Sequence, residues 1–322
     1  MSPRLIGEVK ENVAVAHGYF KTGFYSMDCA FNPTKQELGI PYGTVWEIYG
    51  APSTAKSTTA YCLASMLSAH LKTGWVLMDV EDAYSAEYVL AIGENMGMSE
   101  NTLIVIAEGQ YHNDKLTNIF EVMHKQEVGV GIIDSLGMLA AKSEILGELG
   151  DANMGARARM MYQWCRKFFA YKNDLEYIPK HATVFMINHQ LQNLGGYGMN
   201  RPGGAGKDYG AGVRVHLARE KIFDDGSFLL KGTIKKLRWM GGGTDNEFQF
   251  VSKVGYGLHR GLSAIIDCKE LGLLTMDKGI VKTKEVSHGR FSGFLQNYDD
   301  NEKFRPFYEL IEKHRREKEN AE

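Results

Sequence analysis

Nine consecutive residues, Gly50-Ala51-Pro52-Ser53-Thr54-Ala55-Lys56-Ser57-Thr58, carry the densest chemistry in the chain. They follow an apolar run, Val45–Tyr49, and precede a stretch with helical spacing. In that context a turn aims its backbone N–H groups at an anion held on the helix N-terminus. Lys56 neutralises the outer phosphates of a nucleotide, and the Ser57 hydroxyl serves as a ligand to Mg²⁺. All nine positions are therefore candidates for nucleotide contact. One departs from the usual pattern, because the second glycine of such loops is Ala55, whose methyl group strains a backbone position suited to glycine.

Such a site needs acids. Val130-Gly131-Ile132-Ile133-Asp134 reads as an apolar strand ending in a carboxylate, at the edge of a parallel sheet where ligands bind. Asp134 can there hold the water shell of Mg²⁺ opposite Ser57. A further strand ends Met78-Asp79-Val80-Glu81-Asp82. A carboxylate beside a terminal phosphate can orient or deprotonate the attacking water. Spacing alone does not choose among Asp79, Glu81 and Asp82, and a solvated turn is the other reading.

The elements that must position these residues are legible as alternating strands and helices. Strands are predicted at Val45–Tyr49, Trp75–Met78, Leu103–Ile106, Val130–Ile133 and Val184–Ile187. Between them, Cys62, Leu63, Met66 and Leu67 share one helical face. Met160, Met161, Trp164, Cys165, Phe168 and Phe169 repeat at helical spacing. Strands alternating with helices imply an α/β fold with a mostly parallel sheet covered on both faces. The stretch Gln190 to Gly212 is rich in glycine and long enough to suggest a functional loop. After it, antiparallel strands are expected at Val213–Leu217, Leu229–Arg238 and Phe248–Val251, then a small separate domain over about Gly261 to Ile311.

With 322 residues, the chain suffices for one large core and an accessory domain. Its 44% hydrophobic and 24% charged residues are those of an ordinary globular protein, without an apolar run long enough to span a membrane. The polar N-terminal residues do not resemble a signal peptide, so a cytoplasmic location is expected. Cys29, Cys62, Cys165 and Cys268 lack metal-ligand spacing and read as free thiols. The net charge of −2 does not advertise a nucleic-acid binder, although phosphate affinity depends on local clusters rather than on the sum.

From Asp134 the chain runs Asp-Ser-Leu-Gly-Met-Leu, and then Lys142-Ser143-Glu144-Ile145-Leu146-Gly147-Glu148-Leu149-Gly150-Asp151-Ala152-Asn153-Met154-Gly155-Ala156-Arg157-Ala158-Arg159-Met160-Met161. This pattern of acids, glycines, Met-Gly and an Arg-Met-Met helix start resembles the first DNA-binding loop of the RecA family, and the resemblance extends from about Tyr25 to Ile311. It implies a RecA-type P-loop core, residues 25–260, with DNA-binding loops at about 144–159 and 190–208. An N-terminal segment, 1–24, would serve as a protomer-docking strand, and 261–322 would form a small C-terminal α+β domain with a charged tail.

Carried over by position, Glu81 falls on the family's catalytic glutamate and Tyr88 on the aromatic that stacks against adenine. His189 stands where bacterial members have a glutamine that senses the γ-phosphate. Asn188-His189 resembles the bacteriophage UvsX branch, which also departs from the P-loop glycine. Lys236 and Arg238 share a strand face. They match cations that reach the γ-phosphate of the neighbouring protomer, again in the UvsX form Lys-x-Arg. DNA contacts fall on Met154, Arg157 and Arg159 in the first loop and on Gln190, Arg201, Gly203, Gly204 and Lys207 in the second. Tyr209 falls at the protomer interface.

The resemblance implies an ATP- and Mg²⁺-dependent recombination protein that forms helical filaments on single-stranded DNA. It would catalyse homologous pairing and strand exchange with double-stranded DNA, hydrolysing ATP as DNA stimulates it. Single-strand-binding and mediator proteins would be its partners, in the host cytoplasm if the source is viral. A RecA-fold ring motor or helicase, or a nucleotide-binding mediator without turnover, are the rival readings.

Overall fold

Apolar strands separated by helices assemble here into one large sheet. The computed structural model describes residues 18–31, 38–148, 155–192, 199–200, 210–238, 245–284, 286–297 and 302–319, with the backbone alone at 191–192 and 199–200. Its strands are β1 (Gly18–Phe20), β2 (Ile40–Tyr42), β3 (Val45–Gly50), β4 (Trp75–Asp79), β5 (Ile104–Ile106), β6 (Val130–Asp134), β7 (Thr183–His189), β8 (Leu191–Gln192), β9 (Met199–Asn200), β10 (Val213–Ile222), β11 (Phe228–Leu237), β12 (Glu247–Lys253), β13 (Gly257–Leu258), β14 (Thr275–Asp277), β15 (Ile280–Lys282) and β16 (Ser287–Arg290). The helices are α1 (Tyr25–Ala30), α2 (Lys56–Leu71), α3 (Ala86–Asn95), α4 (His112–Lys125), α5 (Lys142–Leu146), α6 (Ala156–Asn173), α7 (Arg260–Glu270), α8 (Phe291–Leu295) and α9 (Arg305–Glu319).

The large sheet has the order β13-β12-β11-β10-β3-β7-β6-β4-β5. From β10 to β5 every pairing is parallel, and only β11–β12 and β12–β13 are antiparallel among the registers described. The α/β class with a mostly parallel sheet is as expected from the sequence. One strand runs otherwise: Val213–Leu217 of β10, expected to be antiparallel, lies parallel to β3. Side-chain alternation reports which faces are buried and carries no information on strand direction.

The chain divides into two compact units. The first comprises Pro41–Leu217 and Ile234–Asp245 together with the N-terminal residues to Phe20. Its core fills between the sheet and helices α4 and α6, where Phe120 stacks on Trp164 at 5.2 Å and Trp164 on Phe168 at 5.7 Å. Met160, Met161, Trp164, Cys165 and Phe168 are all buried, as the helical repeat predicts, and Phe169 is partly buried beside them. Helix α2 is buried almost throughout its middle turns, in keeping with its largely apolar centre from Ala60 to Leu67, interrupted by Ser65.

The second unit comprises Lys21–Ile40, Ala218–Thr233 and Asn246–Glu322. Its apolar cluster joins Leu262 and Ile265 of α7 to Phe291, Phe294, Phe304 and Phe307, and takes in Phe223 and Val251. This packing unit thus reaches back beyond residue 261, the boundary suggested by the sequence. The α7 N-terminus is capped by His259, whose Nδ1 accepts from Leu262 N at 3.2 Å. The three-stranded sheet β14-β15-β16 completes an α+β arrangement.

Candidate functional site

Parallel registry gathers the chemistry at one edge of the first unit's sheet. Gly50 at the end of β3 pairs with His189 at the end of β7, and Asp79 at the end of β4 pairs with Asp134 at the end of β6. The carboxyl ends of adjacent parallel strands are where ligands of such sheets bind. Here they bring together residues from four separate stretches of sequence.

The phosphate loop leaves β3 at Gly50, which a side chain could not replace, since a Cβ there would collide with the Leu217 carbonyl oxygen. Ser53 and Ala55 both have left-handed backbones, with φ of 59° and 50°. Ala55 is the residue immediately before α2 and offers no side-chain cap, leaving the amides of the first turn for an anion. The expected strain at Ala55 is thus present as a positive φ. Lys56 Nζ donates to Ala51 O at 2.8 Å, and burial lowers the Lys56 pKa from its ordinary value against the attraction of Asp134 and Glu81. A bound polyphosphate would restore the charge that burial opposes.

Asp134 is buried, and that burial raises its pKa although the Ser57 and Tyr61 hydroxyls bond to it. Tyr61 Oη donates to Asp134 Oδ2 at 3.1 Å. Ser57 and Asp134 therefore form a pair of hydrogen-bonded oxygen donors, the ligand type that hard divalent cations such as Mg²⁺ prefer. The residues fit the ion that the sequence implied. Of the three acids at the end of β4, Asp79 is committed to its own turn, accepting from Glu81 N, Ala83 N and Tyr84 N at 2.9–3.1 Å. Glu81 instead turns toward β6 and β7. It accepts a short hydrogen bond from Ser135 Oγ and lies 3.0 Å from His189 Nε2, which is also 3.0 Å from Ser135 Oγ. Burial alone would raise the Glu81 pKa, but the Ser135 and His189 hydrogen bonds and the nearby positive charge bring it below its ordinary value. Glu81 is thus a carboxylate, the form that accepts a proton.

Behind His189 lies a polar network that sequence reasoning missed. Asn188 accepts from His189 N at 2.9 Å and donates to Glu47 at 2.8 Å, and Glu47 accepts from Arg214 Nε at 2.8 Å. Glu47 is fully buried in the middle of β3. An acid inside an apolar strand was the available signal, because a buried carboxylate requires partners. Gln190, at the start of the predicted second loop, is held by His216 Nε2 at 3.1 Å, whose ring packs on Tyr49 at 5.1 Å. Ser135 was also missed, although it directly follows Asp134.

Tyr88 lies by the phosphate loop, its hydroxyl 3.0 Å from Thr58 Oγ1. Lys236 is half-buried near the end of β11, and exposed Arg238 follows that strand with its guanidinium 5.5 Å from the Phe169 ring centre. Leu237 between them is buried, so the alternation holds. Of the first-loop residues, Arg159 is exposed and Arg157 is half-buried, at the start of α6. Much of the predicted 144–159 loop is helical, belonging to α5 and α6. Met154, Arg201, Gly203, Gly204, Lys207 and Tyr209 lie outside the described residues, as does most of segment 1–24.

Residues 5–238 match the family described as RecA N-terminal domain. Among curated proteins, the chain is 29% identical over 252 residues to the chromosomal Protein RecA of Lactococcus lactis subsp. lactis (strain IL1403), covering 76% of this chain and 61% of that protein. It is 30% identical over 204 residues to Protein RecA of Lactococcus lactis subsp. cremoris (strain MG1363), covering 62% and 49%. To Protein RecA of a Nitratiruptor species it is 30% identical over 185 residues, covering 56% and 51%. The matches span half to three-fifths of the length of these relatives.

Proposed function

The chain belongs to the RecA family, and from that premise we propose that it is an ATP-driven strand-exchange recombinase acting as a filament on single-stranded DNA. The observation that carries the proposal is the convergence of Lys56, Asp134, Glu81 and His189 on one sheet edge, with Glu81 held as a carboxylate. Phosphoryl transfer asks of a protein chiefly positioning and charge compensation, and these four groups are of the kinds required.

In this reading, the loop amides from Gly50 to Thr58 and the Lys56 ammonium hold the triphosphate, and Tyr88 supports the adenine. Ser57 and Asp134 hold Mg²⁺, which when bound neutralises charge on the β- and γ-phosphates. Glu81 orients a water and accepts its proton as the water oxygen bonds to the γ-phosphorus, and the bond from that phosphorus to the bridging oxygen breaks to leave ADP. His189 senses the γ-phosphate. Lys236 and Arg238 complete the site of a neighbouring protomer, as an arginine finger does in trans. Arg157, Arg159 and the glycine-rich second loop grip DNA with little sequence preference.

We place the chain near the bacteriophage UvsX-like branch on Ala55, Asn188-His189 and Lys236-Leu237-Arg238, and assign 25–260 to the ATPase core and 261–322 to the C-terminal domain. The pairing partner is double-stranded DNA, single-strand-binding and mediator proteins assist, and the setting is cytoplasmic. No helix among the described residues is long and apolar enough to cross a membrane. The test is ATP turnover with and without single-stranded DNA. Wild type should be stimulated by DNA, while Lys56→Ala and Glu81→Gln should lose turnover by about 100-fold or more, the scale of a lost acid–base group. A wild type indifferent to DNA, or a Glu81→Gln variant with full turnover, would remove the proposal.

A further inference from the structure

The cluster of Glu81, Ser135 and His189 is braced from outside by a residue on the first-loop helix. Ser135 is fully buried and leads directly into a 3-10 turn, Leu136–Met138. Gly137 at the centre of that turn lies hard against the His189 ring, since a Cβ on it would stand 2.5 Å from His189 Cδ2. The Gly137 carbonyl in turn accepts from Arg157 Nη1 at 2.9 Å. One continuous set of contacts thus runs from Arg157 through Gly137 to His189, Ser135 and Glu81.

Arg157 is poorly satisfied where it sits. Besides the bond to Gly137, its Nη2 stands 3.7 Å from Glu144 Oε1, beyond hydrogen-bond distance, and its Nε is buried with no partner among the described residues. Its side chain is 31% exposed, so an incoming anion can reach it. A guanidinium binds a phosphate diester through two parallel charge-assisted hydrogen bonds, a better offer than one carbonyl and a long ion pair.

One oxygen of the Glu81 carboxylate is already engaged within the cluster. Glu81 Oε1 accepts from Ser135 Oγ and faces His189 Nε2, which weakens that oxygen as a proton acceptor and fixes the orientation of the carboxylate. The same imidazole nitrogen faces both Ser135 and Glu81. This differs from a nucleophilic serine triad, in which the two ring nitrogens serve different partners.

We propose that Arg157 is a positioning residue that keeps the hydrolytic site closed without DNA: braced on Gly137, it holds the 3-10 turn against His189 and so keeps Glu81 engaged by His189 and Ser135, until a nucleic-acid phosphate draws the guanidinium away. This rests on the reading of Glu81 as the base. It adds a route by which DNA stimulates hydrolysis through the first-loop helix.

The experiment measures steady-state ATP hydrolysis in the absence of DNA, where any loss of DNA affinity in the variants cannot enter. Arg157→Gln should raise the DNA-free kcat by about tenfold, the scale of one charge-assisted hydrogen bond. Its KM for ATP should stay within about twofold, because the groups that hold the nucleotide are untouched. Arg157→Lys, which keeps one donor for Gly137, should fall between the two. Ser135→Ala should also raise the DNA-free kcat, and adding it to Arg157→Gln should give less than the product of the single effects, since both release one latch. Should Arg157→Gln melt well below wild type, Glu144→Gln tests the same brace from a half-buried position and should give a smaller rise. A DNA-free kcat that is unchanged or lower in folded Arg157→Gln, or in Glu144→Gln where that stands in, overturns the proposal. Adding Glu81→Gln to Arg157→Gln separates the two levels: persistent hydrolysis would remove Glu81 as the base, whereas abolished hydrolysis leaves the brace to stand or fall on its own result.

Discussion

Ala55 holds a left-handed backbone, φ 50° and ψ 36°, at the point where phosphate-binding loops usually place glycine. An L-residue in that region costs roughly 1–2 kcal/mol, and a glycine returns part of that saving as lost chain entropy, about 0.5–1 kcal/mol. The remainder, on the order of 0.5–1 kcal/mol, is small beside the stability of a folded domain, so alanine is tolerable here and does not argue for a dead nucleotide site. Ala55→Gly should therefore leave the melting midpoint nearly unchanged and alter nucleotide affinity by less than about threefold. Ala55→Val is the informative contrast, because a β-branched side chain at positive φ is a genuine outlier. It should weaken binding of a fluorescent ATP analogue by about tenfold or more, the effect of tilting even one loop amide off its phosphate. Equal affinities for the valine and alanine forms would mean that the loop amides do not carry the binding.

Elements differ in how much of themselves the sequence discloses. Helix α6 is one-sided, with Met160, Met161, Trp164, Cys165 and Phe168 buried, so its period is plain to read. The strand ends bearing Asp134 and His189 are legible because apolar runs stop there at polar residues. The direction of β10 is not, since alternation is the same either way. Nor are the partners of Glu81, because Ser135 lies 54 positions away in sequence and His189 lies 108 away, and only the sheet order brings them together. Three acids near the end of β4 are equivalent on paper, and the hydrogen bonds of Asp79 to its own turn are what set Glu81 apart. In the second unit, Asp267 of α7 is an unannounced buried acid, 4% exposed and raised to about 7 by burial, with the Ser26 hydrogen bonds opposing the shift. A carboxyl whose pKa is higher folded than unfolded binds its proton more tightly when folded. Its contribution is full below pH 3.8 and is lost as pH rises to about 7. Asp267→Asn should then gain stability relative to wild type at pH 8, on the order of 2–4 kcal/mol in urea unfolding. That gain should shrink as pH falls toward 4. A gain that is the same at both pH values would place the ionisation elsewhere.

At the scale of the whole molecule, the proposed site is shared: Glu81 and the phosphate loop come from one copy of the chain, and Lys236 and Arg238 from the next. This has a consequence that no single-chain enzyme shares. On the proposed reading, Glu81→Gln lacks the base and keeps its cations, while the double variant Lys236→Ala, Arg238→Ala keeps the base and lacks the cations, so each should assemble into filaments that do not turn over. Mixed in equal amounts on single-stranded DNA, they form junctions at random. A junction works when a protomer with Glu81 intact meets a neighbour with its cations intact, which gives about one junction in four and about a quarter of the wild-type rate per protomer if the cations act in trans. If Lys236 and Arg238 instead served their own chain's nucleotide, no protomer in the mixture would hold a complete set, and the mixed sample would stay as inactive as its parents. Electron micrographs of the same mixture with a non-hydrolysable ATP analogue should show filaments throughout, so that an inactive mixture with filaments present counts against the shared site and not against assembly.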